Sequence, residues 1–218
     1  MSDDLKKELL NNKCFNVCLQ MFLDRGYILF KDYVQKPEEF NFKSSRDDIY
    51  ATDGKILYRA IFCGLENLST EEYNILVDET SRLKNYHSGG NKDFENITSF
   101  HILYFYYPSK FDFHKKTSIE SKTYSNMTLF NMYKWCINPI KHEEQPNFRL
   151  IRSNTPEYKD LFSRNKYDKS LLPKICSDDP VTIYYDAKVE DLFEIKRIGE
   201  PLTYRIVSLK QINLYKNK

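Results

Sequence analysis

The chain has 218 residues, with 33 Lys and Arg against 31 Asp and Glu, and 17 Tyr with 15 Phe. That length gives one or two domains with a real core, and so many aromatics exclude a disordered chain. A formal charge of +2 excludes a histone-like binder held to nucleic acid by charge alone.

The longest apolar run, residues 100–107, is far short of the roughly 20 residues that span a bilayer. Met1-Ser2-Asp3-Asp4-Leu5-Lys6 carries no apolar stretch of the signal-peptide kind. The expectation is a soluble, intracellular protein.

Residues 5–25 are predicted to form a helix, because Leu5, Leu9, Phe15, Cys18, Met21 and Phe22 recur at spacings of three, four or more with polar residues between them. Gly26 suits a left-handed cap at its end. Residues 27–30 are predicted to be extended, and the polar stretch 35–53 to be a long surface loop. Residues 56–63 are predicted to form a buried strand. Ser69 and Glu72 have the spacing of a capping box, with Leu68 and Tyr73 as its hydrophobic staple, so a helix is predicted from there to about residue 86. A loop is predicted over 87–99. Residues 100–107, apolar on both faces and ended by Pro108, are predicted to form a central strand. Residues 129–137 are predicted to form another strand. The sum is a mixed α/β layer.

Residues 139–146, Pro-Ile-Lys-His-Glu-Glu-Gln-Pro, read as a linker. It divides the chain into domains 1–140 and 147–218. In the second, strands are predicted at 148–151, 192–197 and 202–209, with residues 172–175 extended. A helix is predicted from Thr155-Pro156 to about residue 165, and a short one from Asp179-Pro180 to about residue 185. Residues 146–218 carry 14 Lys and Arg against 10 Asp and Glu, a net of +4, which leaves −2 for residues 1–145. The second domain is thus the better partner for an acidic surface.

The six glycines form neither GxGxxG nor GxxxxGK[ST], so neither common phosphate-cradling loop is present. The five cysteines include no CxxC pair and read as reduced thiols, Cys14 and Cys18 lying one helical turn apart as small hydrophobes. His87, His101, His114 and His142 are scattered. No metal and no cofactor is expected.

In the second domain, Leu172-Pro173-Lys174-Ile175, then Asp179-Pro180-Val181 and Tyr184-Tyr185, resemble the "LPxI…DPVxxYY" core of a shared RNA polymerase subunit. That family comprises the fifth-largest subunit of the eukaryotic nuclear polymerases and its archaeal counterpart. The likeness continues through Lys188, residues 192–197 and Thr203-Tyr204-Arg205-Ile206-Val207. Upstream, Thr155-Pro156-Glu157 with Leu161-Phe162 fits the family's helix, and residues 21–27 resemble its "MLxDRGY" segment. The family's "HxLVPxH" opening is Phe148-Arg149-Leu150-Ile151-Arg152-Ser153-Asn154 here, without its histidines and proline. Asp186 and Glu190 stand where the family has glycines, and its "SETAG" loop shortens to Ile198-Gly199-Glu200. A composition heavy in Lys, Asn, Ile, Tyr and Phe points to an AT-rich genome, as of a large DNA virus encoding its own polymerase.

The resemblance implies a mixed α/β, jaw-like N-terminal domain of nuclease-like fold without an active site. It implies a small α+β C-terminal assembly domain that docks on the largest polymerase subunit. The chain would then be a non-catalytic component of a DNA-directed RNA polymerase, meeting other subunits and, weakly, downstream DNA. Neither a membrane nor a small-molecule substrate is implied. Candidate interface residues are Leu172, Pro173, Ile175, Asp179, Pro180, Val181, Thr203, Tyr204 and Arg205. Lys110, Lys115 and Lys116 are the DNA-proximal candidates. The location would be host cytoplasm and virion for a viral chain, or the nucleus for a cellular one.

Two alternatives stand beside this. Asp179, Glu194 and Lys196 have the pattern of a divalent-metal nuclease, in which two carboxylates hold Mg²⁺ and a lysine on the same strand face assists the attacking water. The plainer reading of Glu194 and Lys196 is the solvated face of a strand. The other alternative is a protein-binding adaptor outside any polymerase.

Overall fold

In the computed structural model, residues 3–30, 48–64, 67–87, 96–108, 124–141, 143–165 and 168–209 are described. The chain divides into two compact units, Met1–Ile137 and Asn138–Lys218. Among the described residues, no helix is long and apolar enough to cross a membrane.

The first unit opens with α1 (Asp3–Asp24), followed by β1 (Ile28–Leu29), β2 (Ile49–Thr52) and β3 (Ile56–Gly64). Then come α2 (Thr70–His87), β4 (Ser99–Tyr106), β5 (Met127–Asn131) and α3 (Met132–Trp135). The sheet order is β1-β2-β3-β4-β5. The first three strands pair antiparallel, and β3, β4 and β5 are parallel.

The parallel pairing explains why β4 reads as apolar on both faces, since helices cover each side. Against α2, Leu68 and Leu76 join Ile61, Ile102, Tyr104, Tyr106 and Met127. On the α1 face, Phe15 meets Phe62, and rings stack in series from Phe62 to Phe105 and from Phe105 to Phe130. Trp135 of α3 meets Phe130 edge-on.

The capping box forms as predicted. The Ser69 N–H donates to Glu72 Oε2 at 2.8 Å, and the Glu72 N–H donates to Ser69 Oγ at 3.1 Å. The α1 end is a Schellman motif on Gly26, whose φ is 72°. The Tyr27 N–H reaches the Phe22 carbonyl and the Gly26 N–H that of Leu23, while the Phe22 and Tyr27 rings stack. The thiols of Cys14 and Cys18 are fully buried, and burial pushes the Cys18 pKa well above its ordinary value.

Two sequence expectations are corrected here. Residues 49–52, expected in a loop, form β2, with Ile49 and Ala51 buried. Four residues inside a polar stretch are too few to show an alternation. The expected strand over 129–137 stops at Asn131, whose side chain accepts from the Tyr133 N–H and starts α3. Met132 and Trp135, three apart, then bury one face of that short helix.

A charged group is also buried beneath α2. Arg59 of β3, 4% exposed, donates Nε to Asp48 Oδ2 at 2.7 Å and Nη1 to Thr80 Oγ1 at 3.1 Å, and it pairs with Glu79. Burial by itself would lower the Arg59 pKa, but the Asp48 charge, with Tyr50 and Glu79, holds it above its ordinary value. Burial, and after it the Asp48 charge, raises the Tyr50 phenol.

The second unit contains β6 (Asn147–Ile151), α4 (Pro156–Asn165), a 3-10 turn (Lys169–Leu171), β7 (Lys174–Cys176), α5 (Pro180–Tyr184), β8 (Leu192–Lys196) and β9 (Thr203–Ser208). Its sheet order is β6-β8-β9-β7, with only β7 and β9 parallel. Strand alternation sends Ile151, Leu192 and Ile206 to the α4 side with Tyr158. Phe193, Ile195, Val207 and Ile175 face the α5 side with Val181. Ile140, within residues 139–146, packs on this second cluster, and just before that stretch the Asn138 amide donates to the Tyr184 hydroxyl. The start of the expected linker is thus part of the second unit, because its one branched aliphatic finds an apolar surface there.

Candidate subunit interface

Asp179 holds the start of α5. Its Oδ1 accepts from the Val181 N–H at 2.9 Å, and Pro180 fills the first turn, where no donor is needed. Thr155 does the same for α4, accepting from the Tyr158 N–H. Both caps were legible in the sequence.

The nine interface candidates separate by burial. Ile175 and Val181 lie in the unit's own core, and Leu172 and Tyr204 pack on the α4 side. Pro173, Pro180, Thr203 and Arg205 are exposed. Tyr204 and Arg205 point to opposite faces of β9, the first inward and the second to solvent, as strand alternation requires. Lys110, Lys115 and Lys116 lie outside the described residues.

The nuclease pattern meets a competing use of its carboxylates. Both Glu194 oxygens accept from Arg149, at 2.8 Å each, and one also accepts from the Tyr204 hydroxyl at 3.3 Å. Arg149 further pairs with Glu157 of α4 at 2.6 Å. The Arg149 hydrogen bond, foremost, holds the Glu194 carboxyl below its ordinary range. Hydrogen bonds to Glu194 and then Glu157 raise the Arg149 pKa. Glu194 thus ties β6, β8 and β9 together across paired positions, while Asp179 serves α5.

Sequence reasoning missed a second polar centre. Asp191, 2% exposed, accepts from Arg152 Nη1, from the Ser153 N–H and from the Lys188 N–H. The Arg152 guanidinium also donates to the carbonyls of Tyr185 and Asp186, at 3.1 and 2.7 Å. Arg152 therefore closes the C-terminal end of α5, where carbonyls lack helical partners. The segment it holds contains Asp186, with φ of 49°, and Glu190, with φ of 76°, the two non-glycine residues of positive φ among the described residues. The signal was present in the resemblance: two family glycines are replaced, and Arg152 occupies the place of a proline, which could not donate.

Residues 137–207 match the protein family described as RNA polymerase Rpb5, C-terminal domain. Most of the C-terminal unit is therefore similar to that family. The match covers about a third of the chain and takes in α4, α5, β6, β7, β8 and all but the last residue of β9. It supports an RNA polymerase subunit associated with other polymerase subunits. No curated protein sequence matches the chain.

Proposed function

We propose that the chain is a non-catalytic subunit of a multisubunit DNA-directed RNA polymerase and acts in transcription. The observation that carries this reading is the coincidence of the Rpb5 C-terminal domain match, residues 137–207, with one compact unit that has its own core. In this reading the C-terminal unit docks on the largest subunit, with Pro173, Pro180, Thr203 and Arg205 as its outward candidates. The N-terminal unit lies beside downstream DNA and touches it weakly, since residues 1–145 carry a net −2. The Mg²⁺ chemistry of RNA synthesis then belongs to the large subunits. A viral source would place the chain in host cytoplasm and virion, and a cellular one in the nucleus.

A small unit of this kind gains from burial against a larger neighbour, because it buries a smaller share of its own surface than a large domain does. Purification of the tagged chain from its native source, followed by identification of what accompanies it, tests the reading. The expected companions are the large polymerase subunits. Companions unrelated to transcription would favour the adaptor. Mg²⁺-dependent DNA cleavage that disappears in Glu194→Ala would favour the nuclease.

A further inference from the structure

The edge of a β-sheet leaves peptide groups without partners, and proteins blunt such edges with short strands, charges, proline or bulges. Among the described residues, three of the four sheet edges carry one of these devices. β1 has two residues. β6 contains Arg149, and β7 has three residues, with Lys174 in it and Pro173 just before it. β5, Met-Thr-Leu-Phe-Asn, has none: five residues, no charge, no proline and an unbroken register with β4.

The pairing fixes which peptide groups of β5 face outward. The Ile102 N–H donates to the Asn126 carbonyl at 2.8 Å, while Ile102 itself lies level with Met127. In a parallel ladder of evenly spaced bonds, Asn126, Thr128 and Phe130 therefore turn their peptide groups to β4. Met127, Leu129 and Asn131 turn theirs away. Among the described residues, nothing bonds the outward groups of Met127 and Leu129 or the Asn131 N–H. Thr128, Leu129 and Asn131 are each half-buried, so solvent reaches the strand.

Such an edge is met by an extended backbone that offers donors and acceptors at the same two-residue period. β5 is itself a backbone of that kind. Run antiparallel about a two-fold axis at Leu129, it sets Leu129 against Leu129 of the second copy, and Met127 against its Asn131. The Leu129 N–H of each copy then donates to the Leu129 carbonyl of the other, and the Asn131 N–H to the Met127 carbonyl. Thr128 meets Phe130, a β-branched residue against an aromatic one, which favours strand pairing. Residues 127–131 hold no charge, so no like charges oppose each other across the axis.

We propose that β5 is a self-pairing edge, through which the free chain binds a second copy and doubles the five-stranded sheet of the first unit. The contact is isologous, as a two-fold dimer requires. It is also small, one pair of short strands, so the dimer is weak and its population follows concentration. The inference stands on the first unit alone, apart from the polymerase reading.

Sedimentation equilibrium of the full-length chain over about a hundredfold range of concentration, with amide exchange measured at both ends of the range, tests this. The mean mass should rise from that of one chain toward that of two. The Leu129 and Asn131 amides should exchange at least about tenfold more slowly at the concentrated end, while Thr128 and Phe130, already bonded to β4, stay unchanged. Leu129→Pro removes an outward N–H and no bond to β4, and an edge strand tolerates proline. It should weaken the dimer at least about tenfold. Leu129→Ala keeps the N–H and should weaken it less than about fivefold. A mass and an exchange pattern that ignore concentration would overturn the proposal. Leu129 and Asn131 amides already slow at the dilute end would do the same, because the edge would then be covered within one chain. A dimer that folded Leu129→Pro leaves at full strength would move the contact to another surface and sink the idea. Slowing of these amides only on addition of polymerase subunits would make the occupant another subunit's strand, again overturning self-pairing.

Discussion

Helices α1 and α5, one in each unit, end in the same hydrogen-bond pattern on different residues. In α1 the left-handed position is Gly26, and the Gly26 and Tyr27 N–H groups close the last turn without outside help. In α5 the position is Asp186, and the Asp186 and Ala187 N–H groups make the equivalent bonds. There Arg152 adds a guanidinium across the terminal carbonyls. One cap is supplied by local backbone freedom, the other by a side chain from 34 residues earlier in the chain. The contrast extends to the cores. Each unit packs apolar residues on both faces of its sheet, the first with rings stacked in series beneath α1, the second in two smaller clusters.

The core difference can be broken with matched truncations. Phe105 and Phe193 are each fully buried, so either alanine substitution should cost about 3–5 kcal/mol. A single core in a unit as small as the second supplies roughly 3–5 kcal/mol in all, so the loss there is comparable to the whole. Phe193→Ala should therefore abolish a C-terminal unfolding transition, whereas Phe105→Ala should lower an N-terminal one and leave the other in place. Differential scanning calorimetry of the full chain reads both. A single transition moved equally by the two variants would remove the contrast.

The caps offer a comparison of opposite signs. Gly26→Ala places a Cβ where nothing lies within 4 Å, so its cost is backbone strain alone, about 1–2 kcal/mol. Asp186→Gly relieves strain of the same kind but adds unfolded-state entropy, for a net gain of about 0.5 kcal/mol. Chemical denaturation of both variants distinguishes the signs, and a loss at Asp186→Gly would mean that the aspartate side chain, not the backbone, makes that cap.

The smallest expected effect concerns the surface tie. The folded Glu194 pKa is depressed by Arg149, so the pair contributes above the unfolded value of about 4.3 and is lost as pH falls through the lower folded value. Arg149→Ala should reduce stability by less than about 1 kcal/mol at pH 7, both partners being near solvent. The difference from wild type should shrink toward zero as the pH falls through the depressed folded value. A gap that persisted in acid would assign Arg149 a packing role instead.

Features governed by neighbours in sequence were legible in advance. The Ser69–Glu72 box, the Gly26 cap and the Asp179-Pro180 and Thr155-Pro156 helix starts each depend on residues within one turn of chain, so their chemistry is written locally. The apolar run of β4 likewise announced a strand covered on both sides. The residue order from Leu172 to Val207 carried the family resemblance that the Rpb5 C-terminal domain match then placed on residues 137–207. What the chain order could not convey depends on distant partners. Residues 49–52 became a strand because β3 offers them an edge and the first unit's core takes Ile49 and Ala51. Arg59 became a buried cation because Asp48, just before β2, and Glu79 and Thr80 of α2 converge on it. Glu190, a poor choice for left-handed backbone when read singly, and Asp186, a tolerated one, are held there by Arg152, Asp191 and Val207, which only folding brings within hydrogen-bond reach.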